Sequence, residues 1–221
     1  METIIPVVTL DGPSGAGKGT VSRALAERLG WHYLDSGAIY RSLAIAVQDQ
    51  AIDLADEYSI VAVAQSMTLS FASGAIPRVV LNGQDITDRI GTETCGNTAS
   101  KVAAIGAFCR VLLQKQREFR RLPGLIADGR DMGTMVFPDA PLKIFLTASA
   151  GERALRRYKQ LKEKGMDVSL SRLTKELEER DQRDMERKDA PLKPADDAHY
   201  LDSSSLTFEQ VIDRCLNLII R

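Results

Sequence analysis

The sequence has few of the residues that build metal centres, disulfide frameworks or membrane spans. Its three cysteines, Cys95, Cys109 and Cys215, are odd in number and form no C-x-x-C pair. Its two histidines, His32 and His199, are far apart in the chain, with no other metal-ligand cluster nearby. No apolar run approaches the roughly 20 residues that a membrane helix needs. The sequence therefore predicts neither a zinc site nor a membrane span.

The chain also lacks an excess of charge of either sign. Lys and Arg number 29 against 30 acidic residues, which gives a net charge of −1. No overall field favours nucleic acid or an anionic membrane, so we expect neither as a partner, and any basic function must be local. The chain starts Met-Glu-Thr without a basic and then apolar leader, and its cysteines are expected to be reduced. We therefore expect a cytoplasmic protein.

At 221 residues and 44% hydrophobic composition, the chain is long enough for one sizeable core with an inserted subdomain. An apolar run at residues 4–10 precedes a glycine loop, and the helical pattern of Val21, Leu25 and Leu29 then closes at Gly30. Similar runs return at 125–127 and 142–146 beside long helical stretches, and a strand at 200–201 and a helix at 208–219 follow. This pattern predicts an α/β fold with a buried parallel sheet covered by helices.

Two segments interrupt that pattern. Apolar and polar residues alternate over 67–72, and a second run at 78–81 reaches Asn82-Gly83, which predicts a small antiparallel meander over roughly residues 66–88. Residues 92–120 return to a helical pattern. The stretches 153–164 and 169–187 are helical and highly charged with few apolar positions, which suits a mobile lid. We thus predict a core of 1–64, 101–150 and 188–221, an inserted binding subdomain of 65–100 and a lid of 151–187.

The glycine loop carries the strongest functional signal. Its residues match the G-x-x-x-x-G-K pattern between a predicted strand and a predicted helix. In that pattern backbone N–H groups and a helix N-terminus converge on phosphate oxygens, and the lysine reaches the terminal phosphates. The predicted ATP-binding residues are Gly12, Pro13, Ser14, Gly15, Ala16, Gly17, Lys18, Gly19 and Thr20.

The residue after Lys18 departs from the general pattern. It is Gly19, and the hydroxyl comes one position later at Thr20, so the usual direct Mg²⁺ ligand is displaced. We expect no protein ligand to the metal, with Mg²⁺ held through ATP and water. The arrangement argues against a GTPase switch.

Two further segments are candidates for the acceptor site. The run LDSGAIYR places Ser36 at the start of a predicted helix with Arg41 in its second turn, and a phosphate could meet both together with free N–H groups. The run DGRD, with Asp128, Arg130 and Asp131, follows a buried strand at its carboxyl end, the edge at which open α/β sheets place ligands.

With these motifs the chain resembles the bacterial cytidylate kinases, a family of nucleoside monophosphate kinases. The resemblance rests on the glycine loop with its GKGT ending, on LDSGAIYR, on PGLIADGRDMGT with VFPDAP, and on the ERD and RD segments from Glu179 to Arg187. It implies a parallel-sheet core, an enlarged antiparallel CMP-binding insert and a lid. It also implies ATP and Mg²⁺ as cofactors, CMP and dCMP as acceptors, and a monomer.

The resemblance assigns roles to individual residues. Lys18 and Asp128 would belong to the transfer centre, and the lid would bring Arg153, Arg156 and Arg157 onto the transferring phosphoryl group. The implied acceptor-binding residues are Ser36, Tyr40, Arg41, Ser100, Arg110, Arg130, Asp131, Arg180, Asp184 and Arg187. Arg110 is included because the family usually has an arginine at the position of Cys109, and Gly91 occupies another common arginine position.

Spacing supports two of these groups independently. Arg180, Arg183, Asp184 and Arg187 fall at i, i+3, i+4 and i+7, so one helix face would present three guanidinium groups and one carboxylate. Arg153, Arg156 and Arg157 share a face in the same way. Spacing alone leaves solvated, salt-bridged faces open as an alternative. Kinases for UMP, AMP or shikimate, and a non-enzymatic ATP-binding switch, also remain open.

Overall fold

In a computed structural model, the described residues are 5–72, 78–105, 109–163 and 165–219. The strands are β1 (Val7–Asp11), β2 (His32–Asp35), β3 (Leu69–Ala72), β4 (Arg78–Leu81), β5 (Gln84–Asp85), β6 (Leu125–Gly129), β7 (Leu142–Thr147) and β8 (His199–Asp202). The helices are α1 (Lys18–Leu29), α2 (Ser36–Asp49), α3 (Glu57–Ser66), α4 (Thr87–Ile90), α5 (Glu93–Ala103), α6 (Cys109–Arg117), α7 (Ala150–Glu163), α8 (Leu170–Met185) and α9 (Phe208–Ile219). Within these ranges no helix is long and apolar enough to cross a membrane.

The larger sheet has five parallel strands in the order β2-β6-β1-β7-β8. Every residue of β1 and of β6 is buried, as expected for strands that are covered on both faces. The predicted α/β fold with a buried parallel sheet is confirmed.

The register of this sheet brings three strand ends to one edge. Leu10 of β1 and Asp35 of β2 are both level with Asp128 of β6. Because the strands are parallel, the glycine loop after β1 and the DGRD segment at the end of β6 start side by side.

Helices α1 and α9 pack against each other beside this sheet. Val21 and Leu25 of α1 and Val211 and Cys215 of α9 are buried in one cluster with Leu10 and the other apolar strand residues. Burial raises the pKa of the Cys215 thiol to about 12, so this cysteine is an unreactive core residue.

The second sheet is antiparallel, with the order β3-β4-β5. Asn82 and Gly83 turn the chain between β4 and β5 with φ of 50° and 81°, the left-handed conformation that Asn-Gly favours. The Asn82 side chain accepts a hydrogen bond of 2.8 Å from the Thr68 N–H and so joins this turn to the start of the meander. The predicted hairpin and antiparallel meander are confirmed.

Contacts divide the chain into two compact units, Met1–Asp35 with Arg117–Arg221, and Ser36–Gln116. The five-stranded sheet belongs to the first unit and the three-stranded sheet to the second. In the second unit α2 packs on α3, α4 and α5, with buried residues such as Leu43, Ile60 and Val102. The predicted bounds of the insert and of the lid stay predictions.

The helical prediction over 169–187 was wrong at its end. Ser169 accepts the N–H of Arg172 as the N-terminal cap, but α8 ends at Met185. The chain then turns back, because the Leu192 N–H donates to the Asp184 carbonyl at 2.7 Å. Arg187 consequently lies beyond the helix and does not continue its face.

Candidate functional site

The glycine loop joins β1 to α1 in a conformation that requires its glycines. Gly12 has φ of 147°, and a Cβ there would lie 1.9 Å from the Leu146 carbonyl oxygen. Gly17 precedes α1 with φ of 93°, a conformation that L side chains rarely adopt. The first N–H groups of α1 have no partner within the helix, so the loop delivers donors and a positive helix end to one place.

Lys18 is buried in the first turn of α1, and its Nζ donates to the Pro13 carbonyl oxygen at 2.9 Å. This bond folds the lysine back along the loop. Burial, followed by repulsion from Arg130, lowers the pKa of Lys18 to about 7, although Asp128 and Asp11 act in the opposite direction. A bound anion would relieve this repulsion.

The DGRD segment leaves β6 and enters a short π-helical turn, Met132–Val136. The buried Asp11 carboxylate at the end of β1 accepts hydrogen bonds from the N–H groups of Met132 (2.9 Å) and Gly133 (2.8 Å). Asp11 thereby fixes the turn that carries Arg130 and Asp131. Burial and the neighbouring Asp11 raise the pKa of Asp131 to about 7.

Arg130, Asp184 and Arg187 form a buried charge cluster. The Asp184 side chain is 1% exposed and accepts from Arg130 Nε at 3.0 Å and from Arg187 Nη2. Burial alone would lower the pKa of Arg130, but Asp184 and Asp128 outweigh it and the net shift is upward, so this guanidinium remains charged. Nε of Arg187 is buried, and no group in the part of the chain that the structure describes accepts a hydrogen bond from it. The two guanidinium groups thus share one buried carboxylate.

Arg180 lies close enough to Lys18 to contribute to its lowered pKa, as Arg130 does. The structure therefore brings together Lys18, Arg130 and Arg180, with Asp128 nearby. These residues come from three separate motifs of the sequence.

The three predicted lid arginines have different surroundings. Arg153 is buried, pairs with Asp181, and donates to the carbonyls of Ala148 (2.9 Å) and Ser14 (2.8 Å). Arg156 donates to the Ser203 carbonyl at 2.6 Å, and the partly buried Arg157 contacts Gln160 at 3.5 Å. Their role on the transferring phosphoryl group stays a prediction.

A cavity of about 200 Å³ lies beside the glycine loop. Arg156 and Phe208 line it, with the guanidinium carbon 5.9 Å from the ring centroid, and Ala16 and Val21 contribute apolar surface. A flat aromatic group next to a cation and apolar walls is suited to a planar ligand.

The other predicted acceptor residues belong to the second unit. Ser36 is buried at the start of α2, Tyr40 and Arg41 are partly buried on the same helix, and Ser100 is 2% exposed on α5. The side chains of Cys109 and Arg110 lie outside the described part of the chain, so the predicted Arg110 contact is untested.

Four residues that organise the loop region were not predicted from the sequence. Asp11 and Phe208 are described above, and the Asp181 carboxylate accepts from the Ser14 N–H at 3.3 Å. Tyr33 donates from its hydroxyl to Asp128 Oδ2 at 3.2 Å. Asp181 lies within the ERD segment, whereas no pattern in the sequence distinguishes Asp11, Tyr33 and Phe208 as site residues.

Among the side chains that the structure describes, no three His, Cys, Asp or Glu residues are grouped to hold a metal ion. Carboxylates are nevertheless present beside the loop, in Asp11 and Asp128. Such oxygen donors fit Mg²⁺ that is held mainly by phosphate groups.

The sequence matches the cytidylate kinase family model over residues 8–221. It is 60% identical over 219 residues to a cytidylate kinase of Methylococcus capsulatus, covering 99% of each chain, and 56% identical over 218 residues to one of Klebsiella pneumoniae, covering 98% of this chain and 96% of that one. A shikimate kinase structure from Bacteroides thetaiotaomicron aligns with a TM-score of 0.49 and 13% identity, covering 99% of this chain and 100% of that one. The chain belongs to the cytidylate kinase family.

Proposed function

We propose that this chain transfers the γ-phosphoryl group of ATP directly to CMP and dCMP, forming CDP and dCDP. The observation that carries the proposal is the glycine loop itself, which leads into α1 with the buried Lys18 Nζ bonded to the Pro13 carbonyl and lies next to the DGRD segment at the carboxyl end of β6. An amine whose positive charge is disfavoured by burial and by Arg130, next to a glycine loop, forms a site for phosphate groups, which would restore that charge. The family to which the chain belongs supplies the nature of the acceptor.

The glycine loop would hold the donor phosphates, with its N–H groups and Lys18 on the phosphate oxygens. The cavity lined by Arg156 and Phe208 is adjacent to this loop and would receive the adenine ring. The phosphates and the adenine ring of one ATP molecule would therefore bind at neighbouring sites.

The acceptor phosphate would bind the guanidinium groups of Arg130 and Arg187, both of which Asp184 orients. Arg180 and Asp184 are proposed to contact the ribose, and Ser100 and Asp131 to read the cytosine edge. Ser36, Tyr40, Arg41 and Arg110 are proposed to complete acceptor binding.

Transfer would depend on alignment and on fixed positive charge. The loose transition state of phosphoryl transfer spreads negative charge over the equatorial oxygens. Lys18 and the arginines Arg153, Arg156 and Arg157 are proposed to stabilise that charge. Mg²⁺, when bound with ATP, would neutralise phosphate charge, and Asp128, whose Oδ2 lies 3.3 Å from the position of a Cβ at Gly19, is proposed to orient it. No protein general base of high power is required.

The test is a comparison of acceptors. ADP release would be measured with CMP, dCMP, UMP, AMP and shikimate offered separately under identical conditions. We expect efficient turnover with the two cytidine nucleotides and little with the others. Strong turnover with AMP or shikimate alone would refute the acceptor assignment, and no turnover with any acceptor would favour an ATP-dependent switch. Gel filtration and cell fractionation would test the accompanying expectation of a cytoplasmic monomer.

A variant pair tests the acceptor arginines. Arg187→Met should raise the KM for CMP about 10- to 100-fold, because a charged hydrogen bond to phosphate contributes about 1.5 to 3 kcal/mol. Arg172→Met is the matched control, since Arg172 is 80% exposed and pairs with Glu176 on the surface of α8. Equal KM values in both variants would remove Arg187 from the site.

A further inference from the structure

Polar groups of three other residues lie close to Gly19, which has no side chain of its own. In the general phosphate-loop pattern, the residue after the lysine supplies a hydroxyl to Mg²⁺, and Gly19 supplies none. A Cβ at Gly19 would lie 3.3 Å from Asp128 Oδ2, 3.5 Å from the Tyr33 hydroxyl and 3.6 Å from Arg23 Nη1. A carboxylate and a phenol therefore lie where the side chain of the usual residue would start.

Tyr33 is bound to that carboxylate. It lies on β2 level with Ile126 of β6, two residues before Asp128, and its hydroxyl donates to Asp128 Oδ2 at 3.2 Å. Burial, followed by the carboxylates of Asp128 and Asp35, raises the pKa of Tyr33, so the phenol is protonated at neutral pH and can donate this hydrogen bond.

The ring of Tyr33 is held in turn by α1. The guanidinium carbon of Arg23 lies 5.8 Å from the ring centroid, within the range of a cation–π contact. Arg23 is four residues after Gly19, so both lie on the same side of α1. The contacts thus run from the first turns of α1 through Tyr33 to Asp128.

We infer that Tyr33 is a positioning residue for phosphoryl transfer, whose hydroxyl holds the Asp128 carboxylate beside Gly19 for use with Mg²⁺-bound nucleotide. The inference rests on the proposed use of ATP with Mg²⁺. Tyr33 of β2 and Asp128 of β6 would together replace the loop hydroxyl that the general pattern provides for Mg²⁺. Tyr33 acts through Asp128 and does not itself touch the substrate.

Tyr33→Phe removes the hydroxyl and keeps the ring. We expect kcat to fall about tenfold and the Mg²⁺ concentration for half-maximal rate to rise about fivefold, by analogy with the loss of a hydrogen bond to a charged group, while the KM for CMP stays unchanged. Tyr58→Phe is the control, because Tyr58 is 86% exposed. A Tyr33→Phe protein with the wild-type rate and Mg²⁺ dependence would overturn the inference.

Binding of ADP gives a second readout that needs no acceptor. Calorimetry should show that Tyr33→Phe weakens binding of ADP with Mg²⁺ severalfold but leaves binding of ADP in EDTA unchanged. In an Asp128→Ala background, Tyr33→Phe should have no further effect, because the group through which it acts is gone. Equal weakening with and without Mg²⁺, or an undiminished effect in that background, would refute the positioning role. If the wild type did not phosphorylate CMP, the proposed function would be refuted. The comparison of ADP binding with and without Mg²⁺ would still test the role of Tyr33.

Discussion

At the scale of single residues, the site depends on charges that burial has shifted from their ordinary behaviour. Lys18 has its pKa lowered to about 7, and Asp131 has its pKa raised to about 7. Both side chains are buried near charges of their own sign. Each pKa shift predicts the direction of a measurable effect, on proton uptake for Lys18 and on stability for Asp131.

ATP binding should be accompanied by proton uptake at pH 8. In the free protein most Lys18 side chains are neutral at that pH, and phosphate next to the amine would restore its charge. Calorimetric titrations in two buffers with different ionisation enthalpies measure the number of protons exchanged. Lys18→Met should bind ATP more weakly and lose the uptake, whereas uptake that persists in this variant would assign the proton to another group.

Asp131 should make the protein less stable as pH rises from about 4 to 7. Over that interval the folded state keeps a proton that the unfolded state, with its ordinary pKa of 3.8, has lost. The free energy of unfolding of Asp131→Asn, measured relative to wild type in urea at pH 5, 6, 7 and 8, should therefore increase with pH up to about 7. The increase should approach about 1.4 kcal/mol per pH unit at most.

Asp139→Asn is the matched control for that series. Arg120 lowers the pKa of Asp139, so its titration lies below the range studied and its relative stability should stay level. Parallel stability curves for wild type and Asp131→Asn would mean that Asp131 is ionised throughout.

At the scale of elements, a buried ion pair joins α7 to α8, and both of its side chains also form hydrogen bonds to the glycine loop. Asp181 of α8 accepts from the Ser14 N–H and pairs with Arg153, which in turn donates to the Ser14 carbonyl. The side chains of Arg153 and Asp181 are 7% and 6% exposed. The start of α7 and the end of α8 are therefore anchored, although both helices are strongly charged.

Asp181→Ala should lower the free energy of unfolding by about 3 kcal/mol, because it leaves the Arg153 charge buried without its carboxylate. Glu179→Ala, which removes a surface partner of Lys175, should change it by less than about 0.5 kcal/mol. Urea unfolding of both variants makes the comparison. A similar small effect from Asp181→Ala would show that Arg153 is stabilised by the two carbonyls alone.

Elements with a strong local signature were predictable from the sequence, and long-range polar contacts were not. The apolar runs of β1, β6 and β7 and the Asn82-Gly83 turn gave the two sheets, since strand period and turn chemistry are local properties. The end of α8 was missed because the bond from Leu192 to Asp184 is made by a segment that folds back. The π-helical turn after Asp131 depends on Asp11, which is 120 positions earlier in the chain.

The candidate site was predictable to the same extent. Lys18, Asp128 and Arg130 stand in recognisable motifs at strand ends, so their proximity follows from a parallel sheet. Nothing in the spacing of Arg153, Arg156 and Arg157 indicated that the first would be tied to Asp181 and Ser14 while the second lines a cavity. Tyr33 was hidden because its contact with Asp128 crosses between two strands.

At the scale of the whole molecule, the proposed phosphate-binding parts of this kinase come from distant segments of the chain. The loop after β1, the DGRD segment after β6 and the arginines around the end of α8 are the segments proposed to bind phosphate. Such a design should transfer phosphate to an acceptor in preference to water, because the acceptor must occupy the arginine cluster for the charges to be neutralised.

The most direct measurement follows the γ-phosphoryl group itself. ATP labelled in that group would be incubated with the protein and CMP, and the label in CDP and in inorganic phosphate would be separated and counted. We expect that nearly all label appears in CDP, that release to water is slow without CMP, and that Lys18→Met lowers transfer more than about a hundredfold. Label released mainly as inorganic phosphate, at a rate that CMP does not change, would contradict this expectation.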